Sequence, residues 1–201
     1  MAPVLILYYS RHGATRQLAD AIAKGVELAG ATAMVRTVPS LNDATGEPDG
    51  STPEKGPPHV TTKDLEACSA LALGSPTRFG NMAAPVKHFL DTTSQQWLQG
   101  ALIDKPACVF TSTSSMHGGQ ETTLLSMMIP LLHHGMICCG LPYSEPALHE
   151  TQTGGTPYGV THVSSNTQKK LSEHEKSLAI AQGKRLASLA KKLSTQQEDS
   201  H

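Results

Sequence analysis

The chain has 201 residues, 38% hydrophobic and 16% charged, which suits one sizeable packed core and excludes a disordered chain. Sixteen basic residues against seventeen acidic ones give a formal net charge of −1, so no overall field steers the molecule toward nucleic acid or a membrane surface. No apolar run approaches the roughly 20 residues of a membrane-spanning helix, and no membrane span is expected.

Met1-Ala2-Pro3 leads into an apolar run at 4–9 without a basic stretch or a cleavage site, so no signal peptide is expected and a cytoplasmic location is. The run reads as a parallel strand buried on both faces. Leu18, Ala19, Ile22, Ala23 and Val26 then recur at helical spacing up to Gly30, and 33–38 reads as a second strand. Residues 39–62, rich in Pro, Gly, Asp and Thr, predict a long surface excursion, either a solvated insertion or a lid or subunit contact.

A third strand is expected over 69–74 and a helix over 83–92, with Val86, Phe89 and Leu90 inward. A strand at 107–111, a helix at 120–133 and a fifth strand at 136–141 follow. Residues 142–170 read as a second irregular insertion. Ser172 and Glu175 form a capping box that opens the last helix, and 195–201 reads as a flexible polar tail after a single domain over 1–194. Cys68, Cys108, Cys138 and Cys139 form no C-x-x-C pair and sit in apolar runs, as buried thiols of a reducing compartment do; no metal site is expected.

Five apolar strands alternating with helices predict an α/β doubly wound parallel sheet with helices on both faces. Ligands bind such sheets outside the strands' carboxyl ends, where three polar loops fall. Ser10, Arg11, His12, Gly13, Ala14 and Thr15 offer hydroxyls, a close backbone and a helix N-terminus, which suit a monophosphate held by neutral donors; a plain helix cap is the other reading. Pro76, Thr77, Arg78, Phe79 and Gly80 place a guanidinium and an aromatic ring where a planar ligand could lie, unless Arg78 pairs with a carboxylate and Phe79 is core. Ser112, Thr113, Ser114, Ser115, His117 and Gly118 could bond the edge of a heterocycle or be a linker. Trp97, the only tryptophan, fits a stacking wall or ordinary packing. His133 and His134 fit either a helix C-terminus or, for His134, a group that bonds or protonates a substrate oxygen.

Tyr8-Tyr9-Ser10 with Gly13 and Thr15, the string Gly74-Ser-Pro-Thr-Arg-Phe-Gly-Asn-Met82, Gly118-Gly-Gln-Glu121, His133-His-Gly-Met136 and Gly154-Gly-Thr-Pro-Tyr-Gly159 together resemble the WrbA-type NAD(P)H:quinone oxidoreductases. The resemblance implies a flavodoxin-like fold with strand order 2-1-3-4-5 and a homotetramer. It also implies FMN held tightly but reversibly, with NAD(P)H as co-substrate and a quinone as acceptor. By position, residues 10–15 would hold the phosphate, while Thr77, Arg78, Phe79 and residues 112–118 would contact the isoalloxazine. Trp97 and His134 would line the substrate side, with His134 and Arg78 as the catalytic groups, and His12 would meet the nicotinamide cofactor. Members often carry Tyr where this chain has His12, and this chain inserts Ser115-Met116-His117 into the third loop. A flavodoxin-type electron carrier and a regulatory partner are the other functions such a chain could serve.

Overall fold

The computed structural model describes residues 2–42, 45, 46, 48 and 56–198, with side chains through 194. Parts of the expected excursion at 39–62, and residues 199–201 of the expected tail, lie outside these. The apolar run forms β1 (Val4–Tyr8), buried throughout. Val4, Ile6 and Tyr8 join one apolar cluster and Leu5 and Leu7 the other, so the strand has a packed layer on each side. Each such burial contributes roughly 1.5–3 kcal/mol, which is why an unbroken apolar run, not alternation, marks this strand.

The other strands are β2 (Ala33–Thr37), β3 (Ala70–Arg78), β4 (Asn81–Met82), β5 (Pro106–Thr113), β6 (Ile137–Cys138) and β7 (Val160–Val163). The sheet runs β2-β1-β3-β5-β6, parallel throughout, which is the expected flavodoxin-like order once β5 is counted as the fourth long strand. β4 is a short antiparallel return on the end of β3.

One expectation needs correction. The fifth strand, expected over 136–141, has only two residues, which pair with Pro106 and Ala107 at the start of β5. β7 completes the same edge, pairing in parallel with Phe110 to Thr113. Residues 139–159, which include α6 (Ala147–Glu150), are thus inserted into one interrupted strand. The stretch read as irregular from 142 to 170 contains the strand's second half.

α1 (Ala14–Leu28) and α7 (Glu173–Glu198) cover one face, through Leu18, Ile22 and Val26 and through Leu178 and Leu186. α3 (Ala84–Asp91) and α5 (Gln120–His133) cover the other, with short α2 (Thr62–Ala67) and α4 (Ser94–Leu98) beside them. The capping box of α7 is present: the Glu175 amide donates to Ser172 Oγ and the Ser172 amide to Glu175 Oε2. Glu175 also accepts from Gly154 N, Val163 N and His162 Nδ1, tying the insertion, β7 and α7 together. Burial alone would push its carboxyl up, but the bonds from His162, Ser172 and Val163 outweigh that and hold it below its ordinary value. α7 runs to Glu198, three residues past the expected start of the tail at 195.

Candidate active site

β1 ends at Tyr8, and the Tyr9 amide still bonds Gly74 O, so the first loop leaves the sheet beside the root of the second. Ser10 Oγ accepts from the amides of Gly13 (3.1 Å) and Arg16 (3.4 Å), which folds residues 10–13 into a tight turn. Gly13, at φ +85, is the N-cap of α1 and has no side chain to satisfy the first turn. Among the described residues, the amides of Arg11, His12, Ala14 and Thr15 meet no acceptor. A ring of N–H groups at a helix N-terminus is an anion cradle, and the Ser10 hydroxyl hydrogen adds a donor.

Thr15 is only 1% exposed, and its hydroxyl meets Ser112 Oγ at 2.9 Å, so it joins the first loop to the third.

The second loop is a two-residue hairpin. Thr77 pairs with Met82 and Arg78 with Asn81, with Phe79 (φ +52) and Gly80 (φ +74) at the turn. Two positive φ values match the twist of the flanking strands. Glycine adopts them freely, but phenylalanine is strained there. The ring nevertheless stands fully exposed, at 108% of the reference surface. Arg78 Nη1 donates to Thr77 O, and Arg78 has no carboxylate partner among the described residues. The readings that bury Phe79 or pair Arg78 with an acid therefore do not describe this loop. Thr77 Oγ1 meets Thr123 Oγ1 at 2.7 Å, anchoring the hairpin to the first turn of α5.

The third loop leaves β5 through buried Ser112 and Thr113, while Ser114, Ser115, Met116 and His117 are exposed. The Thr113 hydroxyl and the Gly118 amide both donate to Ser115 O, which closes the turn. Gly119, at φ +89, caps α5, and a Cβ there would lie 2.8 Å from Gly80 Cα. Second and third loops therefore touch backbone to backbone.

Trp97 and His134 lie elsewhere. Ile137, just past His134, pairs with Pro106 at the start of β5, whereas the third loop leaves from Thr113 at its end. α5 spans the 14 residues between the two ends, about 20 Å at helical rise. There Trp97 Nε1 donates to His133 O at 2.8 Å, and His134 Nε2 meets Thr93 Oγ1 at 3.0 Å. The Thr93 hydroxyl hydrogen is directed to Leu90 O, so His134 carries its proton on Nε2. His134 Nδ1 is buried without a partner. Burial, and secondarily the neighbouring His133, push the imidazole below its ordinary value of 6.5, so it is neutral at pH 7. These residues line an open cavity of about 770 Å³ that reaches Asn81 and Met82, the returning strand of the hairpin.

The family model for NADPH-dependent FMN reductases matches residues 3–144. The chain belongs to that family. Its relatives include the NAD(P)H dehydrogenase (quinone) of Solidesulfovibrio magneticus, 43% identical over 94% of this chain and 98% of the relative. A protein of the same name from Gluconacetobacter diazotrophicus is 42% identical over 96% and 100%. Among solved structures, the flavodoxin, WrbA-like protein from Agrobacterium tumefaciens superposes with a TM-score of 0.66 at 23% identity, covering 96% of this chain and 99% of that one. A flavodoxin from the domain Archaea superposes at 0.63 and 18%, covering 94% and 99%. Both likenesses bear on the fold.

In this FMN reductase family member the three loops interlock pairwise into one cradle, and the pair at the far end of α5 stays outside it. Two contacts escape sequence reasoning. Thr93, which fixes the His134 tautomer, falls in Asp91-Thr-Thr-Ser94, a capping-type cluster that could have flagged the short α4. Thr123, which anchors the hairpin, is a first-turn residue of α5 and carries no such signal.

Proposed function

We propose that the chain is an FMN-dependent NAD(P)H:quinone oxidoreductase working by a ping-pong mechanism. The observation that carries this reading is the interlock of three donor-rich loops at the carboxyl edge, through Thr15–Ser112 and Gly119–Gly80. The names of relatives at 41–43% identity point the same way.

The cradle fits FMN. Open space of at least 4 Å surrounds the position a Cβ of Gly13 would take, and unpaired amides face an anion the size of a phosphate monoester. The exposed Phe79 ring and the Arg78 guanidinium, which has no carboxylate partner among the described residues, suit the edge of a planar, electron-accepting tricycle. Bound FMN supplies the redox chemistry, taking a hydride from NAD(P)H and returning two electrons to a quinone in alternating half-reactions. Residues 10–15 hold the phosphate through amides and the Ser10 hydroxyl. Thr77, Arg78, Phe79 and residues 112–118 orient the ring, and the Arg78 charge favours its electron-rich state. His12 and Arg11 flank the entry of the nicotinamide cofactor.

Trp97 and His134 lie by the end of α5 remote from the third loop, so we place them against the cradle of a neighbouring copy. Supporting this, Trp97 (52% exposed) and Ile129 (58%) line the same cavity as His134, and Leu98 (76%) and Leu132 (57%) on α4 and α5 are exposed as well. A homotetramer supplies that copy. In it Trp97 walls the ring slot, and His134, held through Nε2 by Thr93, lines the substrate side beside it. The four free thiols suit a cytoplasmic location.

Purified, FMN-loaded protein should oxidise NAD(P)H only when a benzoquinone is present, with parallel lines in double-reciprocal plots. Fully loaded protein that shows no quinone-dependent oxidation contradicts the reading.

A further inference from the structure

The near-neutral charge of the chain hides a strong local imbalance. Between 176 and 197 the sequence carries Lys176, Lys184, Arg185, Lys191 and Lys192 and not one Asp or Glu. The remaining chain then holds eleven basic residues against seventeen acidic. These cations share α7, the 26-residue helix whose inner side is packed on α1; Lys176 pairs with Glu173 in its first turn, which leaves the charge concentrated toward the second half. At about 1.5 Å per residue the stretch from Lys176 to Lys192 spans roughly 24 Å along one side of the molecule, between the acidic ends of the helix at Glu173, Glu175 and Glu198.

A groove of about 500 Å³ runs along that face. Half-buried Ile180 and Leu189, with Pro142 from the insertion, give it apolar surface, and exposed Lys184, Arg185 and Lys192 give it charge. Glu145 is the one carboxylate among its lining residues. Nothing in the proposed oxidoreductase chemistry uses this face, which lies on the opposite side of the sheet from the Trp97 cavity.

We propose that α7 docks the protein on an anionic phospholipid membrane surface, with the acidic headgroup on Lys184, Arg185 and Lys192 and the glycerol and upper acyl segment on Ile180, Leu189 and Pro142. Charge complementarity chooses this occupant. A phospholipid joins an anionic head to an apolar stem, the two features the groove joins. A second copy seated face to face would set cations against cations. Nucleic acid would find no aromatic or amide side chain among the lining residues to meet its bases. The face lies on the membrane rather than spanning it, since no helix among the described residues is long and apolar enough to cross.

The test is flotation of the full-length, FMN-loaded protein with vesicles, without nicotinamide or quinone, so the outcome is independent of the catalytic reading. Vesicles of mixed phosphatidylglycerol and phosphatidylcholine should bind at least about tenfold more tightly than phosphatidylcholine alone, with the difference abolished by high salt. The variant K184E/R185E/K192E should lose that preference while keeping its solution activity and melting temperature. Leu189→Ser should weaken binding without changing its salt dependence. Equal binding to both vesicles, no binding to either, an unchanged charge-reversal variant, or salt-sensitive binding of duplex DNA in place of vesicles would each overturn the proposal.

Discussion

Phe79 occupies a backbone conformation that a side chain pays for, and the hairpin keeps it with its ring in open solvent. Strain held at an exposed aromatic marks a position whose ring has work to do outside the fold. Phe79→Gly should therefore stabilise the apoprotein by about 1 kcal/mol, seen in urea denaturation, and weaken FMN binding at least tenfold; a variant that loses stability, or keeps its FMN affinity, contradicts this. His134 makes a second case. Burial is the larger cause of its lowered pKa and His133 the smaller, so in the His133→Ala variant the imidazole, followed by NMR, should titrate closer to 6.5 yet still below it. A value that does not move removes His133 from the account. At this scale the cradle residues were legible because hydroxyl, glycine and aromatic side chains at strand ends have few other uses. The hydroxyl pairing of Thr15 with Ser112, 97 residues apart, was not, because neither residue's local sequence names its partner.

Among the elements, β1, α1, β3, α3, β5 and α5 were all foreseeable from their patterning, each long enough for the pattern to declare itself. The misses have a common cause. α2 and α4 have six and five residues, too few for a helical stripe. β7 reads Val-Thr-His-Val, without an apolar run, and is a strand because β5 offers it a free edge 50 residues away. The α1–α7 packing is similarly non-local. A Cβ on Gly25 would lie 2.2 Å from Ile180 O, and one on Gly183 would lie 2.1 Å from Ile22 O. The helices thus meet backbone to backbone, and neither can accept even a methyl group. Gly183→Ala should cost about 1–3 kcal/mol as the helices are forced apart, measured by chemical denaturation; a neutral result would show that the contact is looser than it looks.

For the molecule as a whole, ionisable groups set the pH range of stability at both ends. Glu175 has a folded pKa below its ordinary 4.5, so its contribution is present above 4.5 and lost as pH falls through the folded value. Cys68 and Cys139 are pushed by burial from 9.0 up to about 11. Their contribution is complete below pH 9 and disappears as pH rises toward 11, up to roughly 2–3 kcal/mol for each thiol. Denaturation midpoints should therefore fall as pH rises above 9 and fall again on the acid side below 4.5, with that acid loss reduced in Glu175→Gln. A midpoint unchanged at pH 10.5 would contradict the thiol assignment.

The account rests on one cradle made by three loops, and its most direct test is a fluorescence titration of FMN and of riboflavin with the apoprotein. FMN should bind and be quenched, and riboflavin, which lacks the phosphate, should bind at least a hundredfold more weakly because the amides of Arg11, His12, Ala14 and Thr15 have nothing to hold. Equal affinity for the two flavins, or no binding of either, would contradict it.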